Sequence, residues 1–157
     1  MFDTIDLTDN EIKLLANFPR LNRLGSLFLA NNSISRIDAE FFSPAQLPRL
    51  HTLVLTGNRL LDLGDLKPLA AFKTQLKHLS LLDNPVVKKP HYRLFVISRL
   101  PGLKTLDFKR VKRVEVEEAQ KMFPIEEEEV EGGGGSRGKG KVFEIGDTEA
   151  AFEGGEP

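Results

Sequence analysis

The sequence predicts an α/β repeat solenoid, in which short parallel strands stack side by side and a connector joins each strand to the next. Two observations lead to this prediction. One apolar pattern recurs from near residues 2, 24, 50, 76 and 103. Each copy also carries alternating apolar residues, such as Leu27 and Leu29, as a strand with one buried face requires. The 157 residues, 40% of them apolar, suffice for one such unit and a tail.

The recurring unit has the leucine-rich-repeat pattern, Leu-x-x-Leu-x-Leu-x-x-Asn-x-Leu in its fullest form. One repeat cannot bury its leucines alone, so stacked repeats share one core behind a parallel concave sheet. The Asn column follows the strands, where an amide can satisfy loop backbone groups. We therefore predict that its members have a structural role. They are Asn10, Asn32, Asn58 and Asn84.

The fifth copy departs from the pattern, since it reads Leu103-x-x-Leu106-x-Phe108 and carries Val111 where the others carry Asn. By analogy with the other copies, Phe108 is expected to point into the core. Asp107 and Lys109 are expected to point outward.

A helical cap over residues 90–123 is predicted to cover the C-terminal end of the core. Pro90 is expected in the first turn of a helix that runs through residues 91–100. A second helix is predicted over residues 115–123, with Ala119, Met122 and Phe123 on its apolar side.

The domain boundaries follow from composition. The leucine-rich-repeat domain is predicted over residues 1–123, and an acidic, then Gly-rich disordered tail over residues 124–157. The first repeat begins at residue 2 with no cap helix before it, so the first strand is expected to be a bare edge. The simplest interpretation is a fragment, or a start assigned late.

Charge and composition exclude several classes of protein. The net charge of −1 excludes a uniformly basic nucleic-acid binder, although residues 86–113 hold a local excess of Lys and Arg. The absence of Cys excludes a disulfide scaffold, a Cys-based zinc site and a thiol enzyme. Neither a membrane-spanning stretch nor a secretory signal is predicted, which leaves cytosol or nucleus.

No constellation of catalytic residues is found, so we predict a protein that is not an enzyme and has no cofactor or metal. The three histidines His51, His78 and His91 lack metal-ligand spacing. Gly133 begins a near-match to a phosphate-binding loop, but Gly140 stands where Ser or Thr would be required. The acidic run over residues 126–129 is interpreted as solvated charge.

The outward-facing strand positions form the candidate partner-binding site. Their centre is small and apolar, because Phe28, Val54 and Leu82 point to solvent in adjacent repeats. A partner helix laid across the concave face would bury them; the alternative is that β-propensity alone placed them there. The predicted site consists of Asp6, Ser26, Phe28, Ala30, Thr52, Val54, Thr56, His78, Ser80 and Leu82.

A basic segment follows the last predicted strand and comprises Lys109, Arg110, Lys112 and Arg113. Contact with an RNA phosphate backbone is one interpretation. A nuclear-import signal and a solvated face are the others. No aromatic side chain is expected to interleave with these cations, so backbone contact is favoured over base readout.

The chain resembles the U2 small nuclear ribonucleoprotein A-prime family of spliceosomal proteins from Phe2 to about Phe123. The resemblance is carried by FDTIDLTDNEI at residues 2–12 and LGDLKPLA at residues 63–70. More specific are NPV at 84–86, HYRL at 91–94, LDF at 106–108 and AQKMF at 119–123. Family members usually begin with a cap helix and one more repeat, and the tail after Phe123 does not match their basic extension.

The resemblance implies a function in the nucleus. Family members are not enzymes; they hold a helix of an RNA-recognition-motif partner of the B-double-prime type on the concave face. The pair binds a stem-loop of U2 small nuclear RNA. By position, Phe28, Val54 and Leu82 would contact the partner and Lys112, flanked by Arg110 and Arg113, would approach RNA. The alternative is an acidic-tailed leucine-rich nuclear regulator that binds histones or a phosphatase.

Overall fold

The main sheet follows the order of the repeats. The computed structural model describes residues 3–125. Its six-stranded sheet has the order β1-β3-β5-β6-β7-β8, parallel except for the last, antiparallel pair. A second, two-stranded parallel sheet pairs β2 with β4 in the connectors. The strands are β1 Thr4–Asp6, β2 Leu14–Leu15, β3 Ser26–Phe28, β4 Arg36–Ile37, β5 Thr52–Val54, β6 His78–Ser80, β7 Thr105–Leu106 and β8 Lys109–Arg110.

The register of the main sheet aligns the repeats as the sequence pattern predicts. Leu27 pairs with Leu53, Leu53 with Leu79, and Leu79 with Leu106. None of these four side chains is more than 2% exposed. Their flanking residues lie on the opposite face, because successive side chains of a strand alternate. The leucine-rich-repeat solenoid is therefore confirmed.

The ladder asparagines join neighbouring repeats through their side-chain amides. Asn58 Oδ1 accepts the Ile34 N–H at 2.9 Å, while its Nδ2 donates to Leu29 O at 3.0 Å and Leu55 O at 2.9 Å. Asn32 and Asn84 bond in the same way. Asn10 is exposed, and its Nδ2 donates to the carbonyls at positions 7 and 8.

The residue before each ladder asparagine has a positive φ. The angles are 66° at Asp9, 58° at Asn31, 73° at Gly57 and 61° at Asp83. Asp, Asn and Gly adopt this left-handed conformation most readily. The chain thus turns away from each strand in the same way, a regularity that the apolar pattern alone does not reveal.

Two α-helices form the cap, and their bounds differ from the prediction. Helix α1 spans Tyr92–Arg99 and helix α2 spans Arg113–Met122. Pro90 lies before α1, because His91 at φ 62° separates it from the first helical turn. Ala119 is fully buried and Phe123 packs edge-on against Phe95, whereas Met122 is 45% exposed. The 3-10 helices Leu63–Phe72 and Pro85–Lys88 lie in earlier connectors.

The prediction for the fifth repeat is wrong at its second half. Strand β7 ends at Leu106, and the chain reverses through Asp107 and Phe108 into the antiparallel β8. The Phe108 side chain is 71% exposed instead of buried in the core. Both turn residues have positive φ, 56° and 66°, as a two-residue type I′ hairpin turn requires.

At the other end of the sheet, β1 has one neighbour, β3, among the described residues. Ile5 and Leu7 are partly buried, whereas their counterparts Leu27 and Leu29 are fully buried. This matches the expected edge. The acidic run and the predicted tail over residues 126–157 lie outside the described residues, and the domain boundary at residue 123 stays a prediction.

Across residues 3–125, none of the helices combines the length and the apolar character needed to cross a bilayer.

Candidate partner-binding face and basic segment

The outward side chains of the main sheet form a surface, which we call the strand face. Its central part is uncharged: Ser26 and Phe28 on β3 lie beside Thr52 and Val54 on β5. All four are half-buried, and both strands have a neighbouring strand on each side. A surface of this kind offers apolar and hydroxyl groups to a partner without any charge to desolvate.

The structure brings most of the ten predicted partner-binding residues together on this face. Ala30 and Thr56 are half-buried, while Leu82 is 37% exposed at the turn after β6. Asp6 and His78 are exposed. The Thr8 side chain and the Thr8 backbone N–H bond to the Asp6 carboxylate and lower its pKa, so the β1 end of the face carries a negative charge at neutral pH.

Ser80 does not lie at the surface as predicted, because its side chain is only 2% exposed. Its Oγ lies 2.7 Å from Thr56 Oγ1 on the neighbouring repeat. A second polar pair joins His78 Nδ1 and Thr105 Oγ1 at 2.8 Å. These pairs satisfy four polar side chains of the face within the protein itself.

A hollow of about 200 Å³ lies where β5, β6 and β7 meet the hairpin turn. Its walls are mainly apolar, although three hydroxyl-bearing side chains and one histidine contribute. It is lined by Thr52, Leu53, Val54, His78, Leu79, Ser80, Thr105 and Phe108. The hairpin turn thus places the Phe108 ring at the edge of the strand face. The sequence pattern had assigned this residue to the core.

The basic segment lies directly beyond this hollow. Lys109 and Arg110 form β8, Lys112 is the residue before α2, and Arg113 is its first residue. All four are exposed. Arg113 Nε lies 3.5 Å from Glu117 Oε2, with 93% of the arginine side chain exposed. The predicted grouping of these four cations is thus present on one short stretch of chain.

Arg93 ties the basic segment to the cap. Its Nη1 donates to Leu106 O at 3.0 Å, and its Nη2 donates to Arg110 O at 3.1 Å. Glu115 Oε1 in turn accepts the Lys112 N–H at 2.9 Å. The Arg93 guanidinium lowers the pKa of Glu115, chiefly by hydrogen bonding. The sequence analysis did not assign Arg93 a role, since only its neighbours in space reveal one.

Tyr92 on α1 is hydrogen-bonded to the hairpin turn. Its hydroxyl donates to Asp107 Oδ2 at 2.9 Å, while Asp107 Oδ1 accepts the Leu81 N–H at 2.7 Å. Burial, and then the nearby Asp107 charge, raises the pKa of Tyr92. The tyrosine therefore remains a protonated donor, and Asp107 is bound on both carboxylate oxygens instead of pointing freely outward.

The charges of Lys112 and Arg113 are placed unfavourably with respect to the dipole of α2. The N-terminus of α2 carries a partial positive charge, which favours anions over cations. Two cations there oppose the helix dipole, although Glu115 in the first turn offsets part of the effect. Cationic side chains at a helix N-terminus suit an anionic ligand such as phosphate.

Within residues 3–125, no three His, Cys, Asp or Glu side chains come together as they would around a metal ion. His51 bonds to the neighbouring Thr52 Oγ1, and His91 lies at the start of α1.

Comparison with known proteins agrees with this geometry. A family profile described as "Leucine-rich repeat" matches residues 1–131. The U2 small nuclear ribonucleoprotein A' of Arabidopsis thaliana is 52% identical over 133 residues, which are 83% of this chain and 51% of the relative. The protein of the same name from Homo sapiens is 52% identical over 122 residues, 78% of this chain and 47% of the relative.

A solved structure is similar as well. A chain in the crystal structure of the Drosophila melanogaster SNF/U2A' complex has a TM-score of 0.74 and 44% identity. The match covers 79% of this chain and 70% of that chain. The chain spans about half the length of the curated relatives it matches.

Proposed function

Because the chain belongs to the U2 small nuclear ribonucleoprotein A' family of leucine-rich-repeat proteins, we propose that it is a non-enzymatic scaffold of that particle in the nucleus. It holds an RNA-recognition-motif partner of the SNF kind on the strand face, and the pair binds U2 small nuclear RNA in pre-mRNA splicing. The single observation that carries the proposal is the uncharged, partly apolar strand face. It occurs in a chain that is similar to a chain of the SNF/U2A' complex.

The energetics of the strand face support a docking role. Phe28, Val54 and Leu82 come from adjacent repeats and retain exposed apolar area. Full burial of each side chain contributes about 1.5–3 kcal/mol before association costs. An amphipathic helix buries such a row along one of its faces.

Calorimetric titration of the full chain with an SNF-type RNA-recognition-motif protein from the same source tests the proposal. Val54→Asp and Phe28→Asp each place a charge in the contact, so we expect about tenfold or greater loss of affinity. Val114→Asp is the matched control, because Val114 is 58% exposed on α2. Its affinity should stay within about threefold of wild type.

Circular dichroism establishes that each variant is folded at the temperature of titration. A wild-type chain that does not bind the partner contradicts the scaffold proposal. A folded Val54→Asp variant with wild-type affinity contradicts the assignment of the strand face. Equal losses for Val54→Asp and Val114→Asp indicate a non-specific charge effect and also count against it.

The basic segment supports a contribution to RNA contact by the assembled pair. We propose that Lys112 and Arg113 neutralise RNA phosphates beside the N-terminus of α2. Fluorescence anisotropy of a labelled U2 stem-loop across a salt series measures this. Lys112→Gln should weaken binding and reduce the slope of log K against log salt by about 0.7–1.

Lys121→Gln at the other end of α2 is the matched control and should keep the wild-type slope. A wild-type slope for Lys112→Gln contradicts phosphate contact by this residue and favours a solvated or nuclear-import role. The alternative function, a regulator of histones or a phosphatase, depends on the acidic run over residues 126–131, and a histone titration in the same calorimeter tests it.

A further inference from the structure

Phe108 is the most exposed large apolar residue within residues 3–125. Its side chain is 71% exposed, whereas the next, Val114, is 58% exposed. Single exposed apolar residues are common on protein surfaces. This one, however, lies at the tip of the turn between β7 and β8, where the sequence pattern predicts a core residue.

The backbone of Phe108 is in a conformation that phenylalanine disfavours. Its φ is 66°, in the left-handed region, and φ of the preceding Asp107 is 56°. Type I′ turns favour Gly at the second turn position and Asn, Asp or Gly at the first. Asp107 fits this preference and Phe108 does not. Backbone strain that a fold tolerates clusters at functional sites, which points to a role for the phenylalanine ring itself.

The Phe108 ring lies beside the strand face. Phe108 lines the hollow together with Val54 on β5 and Thr105 on β7. It therefore continues the apolar row of the face beyond the last parallel strand. Aromatic side chains beside a partly apolar depression are frequent anchors of protein interfaces.

We propose that Phe108 is the anchor that closes the strand face at its C-terminal end, with its ring packed against the docked helix of the RNA-recognition-motif partner. This inference rests on the proposed function and adds a specificity-determining residue that the sequence pattern had placed in the core. The hairpin turn holds the ring out of the core, and Tyr92 and Arg93 hold the turn.

Stacking on an RNA base is the competing role, since Lys109 and Arg110 follow Phe108 directly. The hollow favours the protein partner, because Phe108 shares it with strand residues of β5, β6 and β7, and no residue of the basic segment lines it.

The experiment compares two substitutions that remove the ring and differ in backbone effect. Phe108→Gly and Phe108→Asn both suit a positive φ, Gly more freely than Asn. Phe41→Asn is the matched control, because Phe41 is 42% exposed in the connector between β4 and β5. Affinity for the SNF-type partner is measured by calorimetry with the full chain, and folding by circular dichroism.

We expect Phe108→Gly and Phe108→Asn to lose at least about tenfold in partner affinity, while their melting temperatures equal or exceed that of wild type. Phe41→Asn should stay within about threefold of wild type. Loss in only one of the two Phe108 variants, or an equal loss in Phe41→Asn, overturns the proposal, because the missing ring would not explain it.

Unchanged partner affinity in both Phe108 variants also overturns the proposal. If the same variants then weaken U2 stem-loop binding by the preformed pair, the ring contacts a base instead. A wild-type chain that fails to bind the partner contradicts the proposed function, whereas wild-type binding with unaffected Phe108 variants contradicts this inference alone.

Discussion

The guanidinium of Arg93 and the carboxylate of Glu115 join the two cap helices, with Nε 2.7 Å from Oε2 and Nη2 3.2 Å from Oε1. Both side chains are about three-quarters buried, at 27% and 22% exposed. The same arginine donates to the carbonyls of Leu106 and Arg110. One side chain therefore organises the hairpin, the basic segment and the start of α2.

Glu115→Gln should destabilise the cap in a pH-dependent way. Arg93 lowers the pKa of Glu115 in the folded protein, so the carboxylate stabilises the fold above its unfolded pKa of about 4.3. That stabilisation is lost as the pH falls through the lower, folded pKa. At pH 7 we expect the free energy of unfolding to drop by about 1 kcal/mol, and the difference from wild type to vanish in acid.

Urea unfolding at a series of pH values measures this difference. Glu118→Gln is the control, because Glu118 lies exposed on the same helix. Identical pH profiles for the two variants would contradict the stabilising role of the Arg93 pair.

Asn58→Ala should destabilise the protein strongly. Asn58 is 5% exposed and bonds to the backbone of two repeats. Removal of the amide takes the acceptor from the buried Ile34 N–H, at a cost of about 1–3 kcal/mol. The Leu29 carbonyl loses one donor but keeps Asn32 Nδ2. Asn10→Ala, at the exposed end of the ladder, should cost under about 1 kcal/mol. Thermal unfolding of both variants compares them, and equal losses would contradict the ladder argument.

Gly57→Ala should destabilise the turn after β5. A Cβ at this position would lie 2.5 Å from Asn31 Oδ1, and φ is 73°. The left-handed conformation alone costs an L-residue about 1–2 kcal/mol. Gly64→Ala is the matched control, since a Cβ there meets nothing within 4 Å. We expect its melting temperature to remain at or slightly above that of wild type.

Tyr92→Phe should loosen the hairpin turn without unfolding the chain. Asp107 Oδ2 loses its hydroxyl donor, which should lower the free energy of unfolding by about 1 kcal/mol. Hydrogen exchange offers a local measurement, because Asp107 Oδ1 also accepts the Leu81 N–H. Faster exchange at Leu81 than in wild type is expected. Unchanged exchange there would show that the tyrosine does not hold Asp107 in place.

The strands and the core follow from the sequence because their signal is local. Alternation around Leu27 and Leu53 predicts one buried face, and the repeat length brings those strands into register. The ladder was also predictable, since each Asn falls at the same position in its repeat. The positive φ before each ladder asparagine could also have been predicted, because residues such as Gly57 and Asp83 are types that adopt it readily. The apolar pattern alone does not indicate it.

The candidate site was predictable only in part. Ser80 shares a column with Phe28 and Val54, yet its side chain is buried and hydrogen-bonded to Thr56 of the neighbouring repeat. Phe108 occupies a core position in the repeat pattern, yet the chain reverses at Asp107 and Phe108. Neither outcome could be deduced from spacing within a single repeat.

By itself, the sequence determined the repeat fold, the buried leucines, the asparagine ladder and the grouping of four cations near the last strand. Each depends on periodicity or on proximity along the chain. The tertiary structure alone decided the direction of the chain after Leu106. Tyr92 and Arg93, from a helix distant in sequence, bind Asp107 and the hairpin carbonyls. Those long-range hydrogen bonds turn Phe108 toward the strand face and present the basic segment beside it.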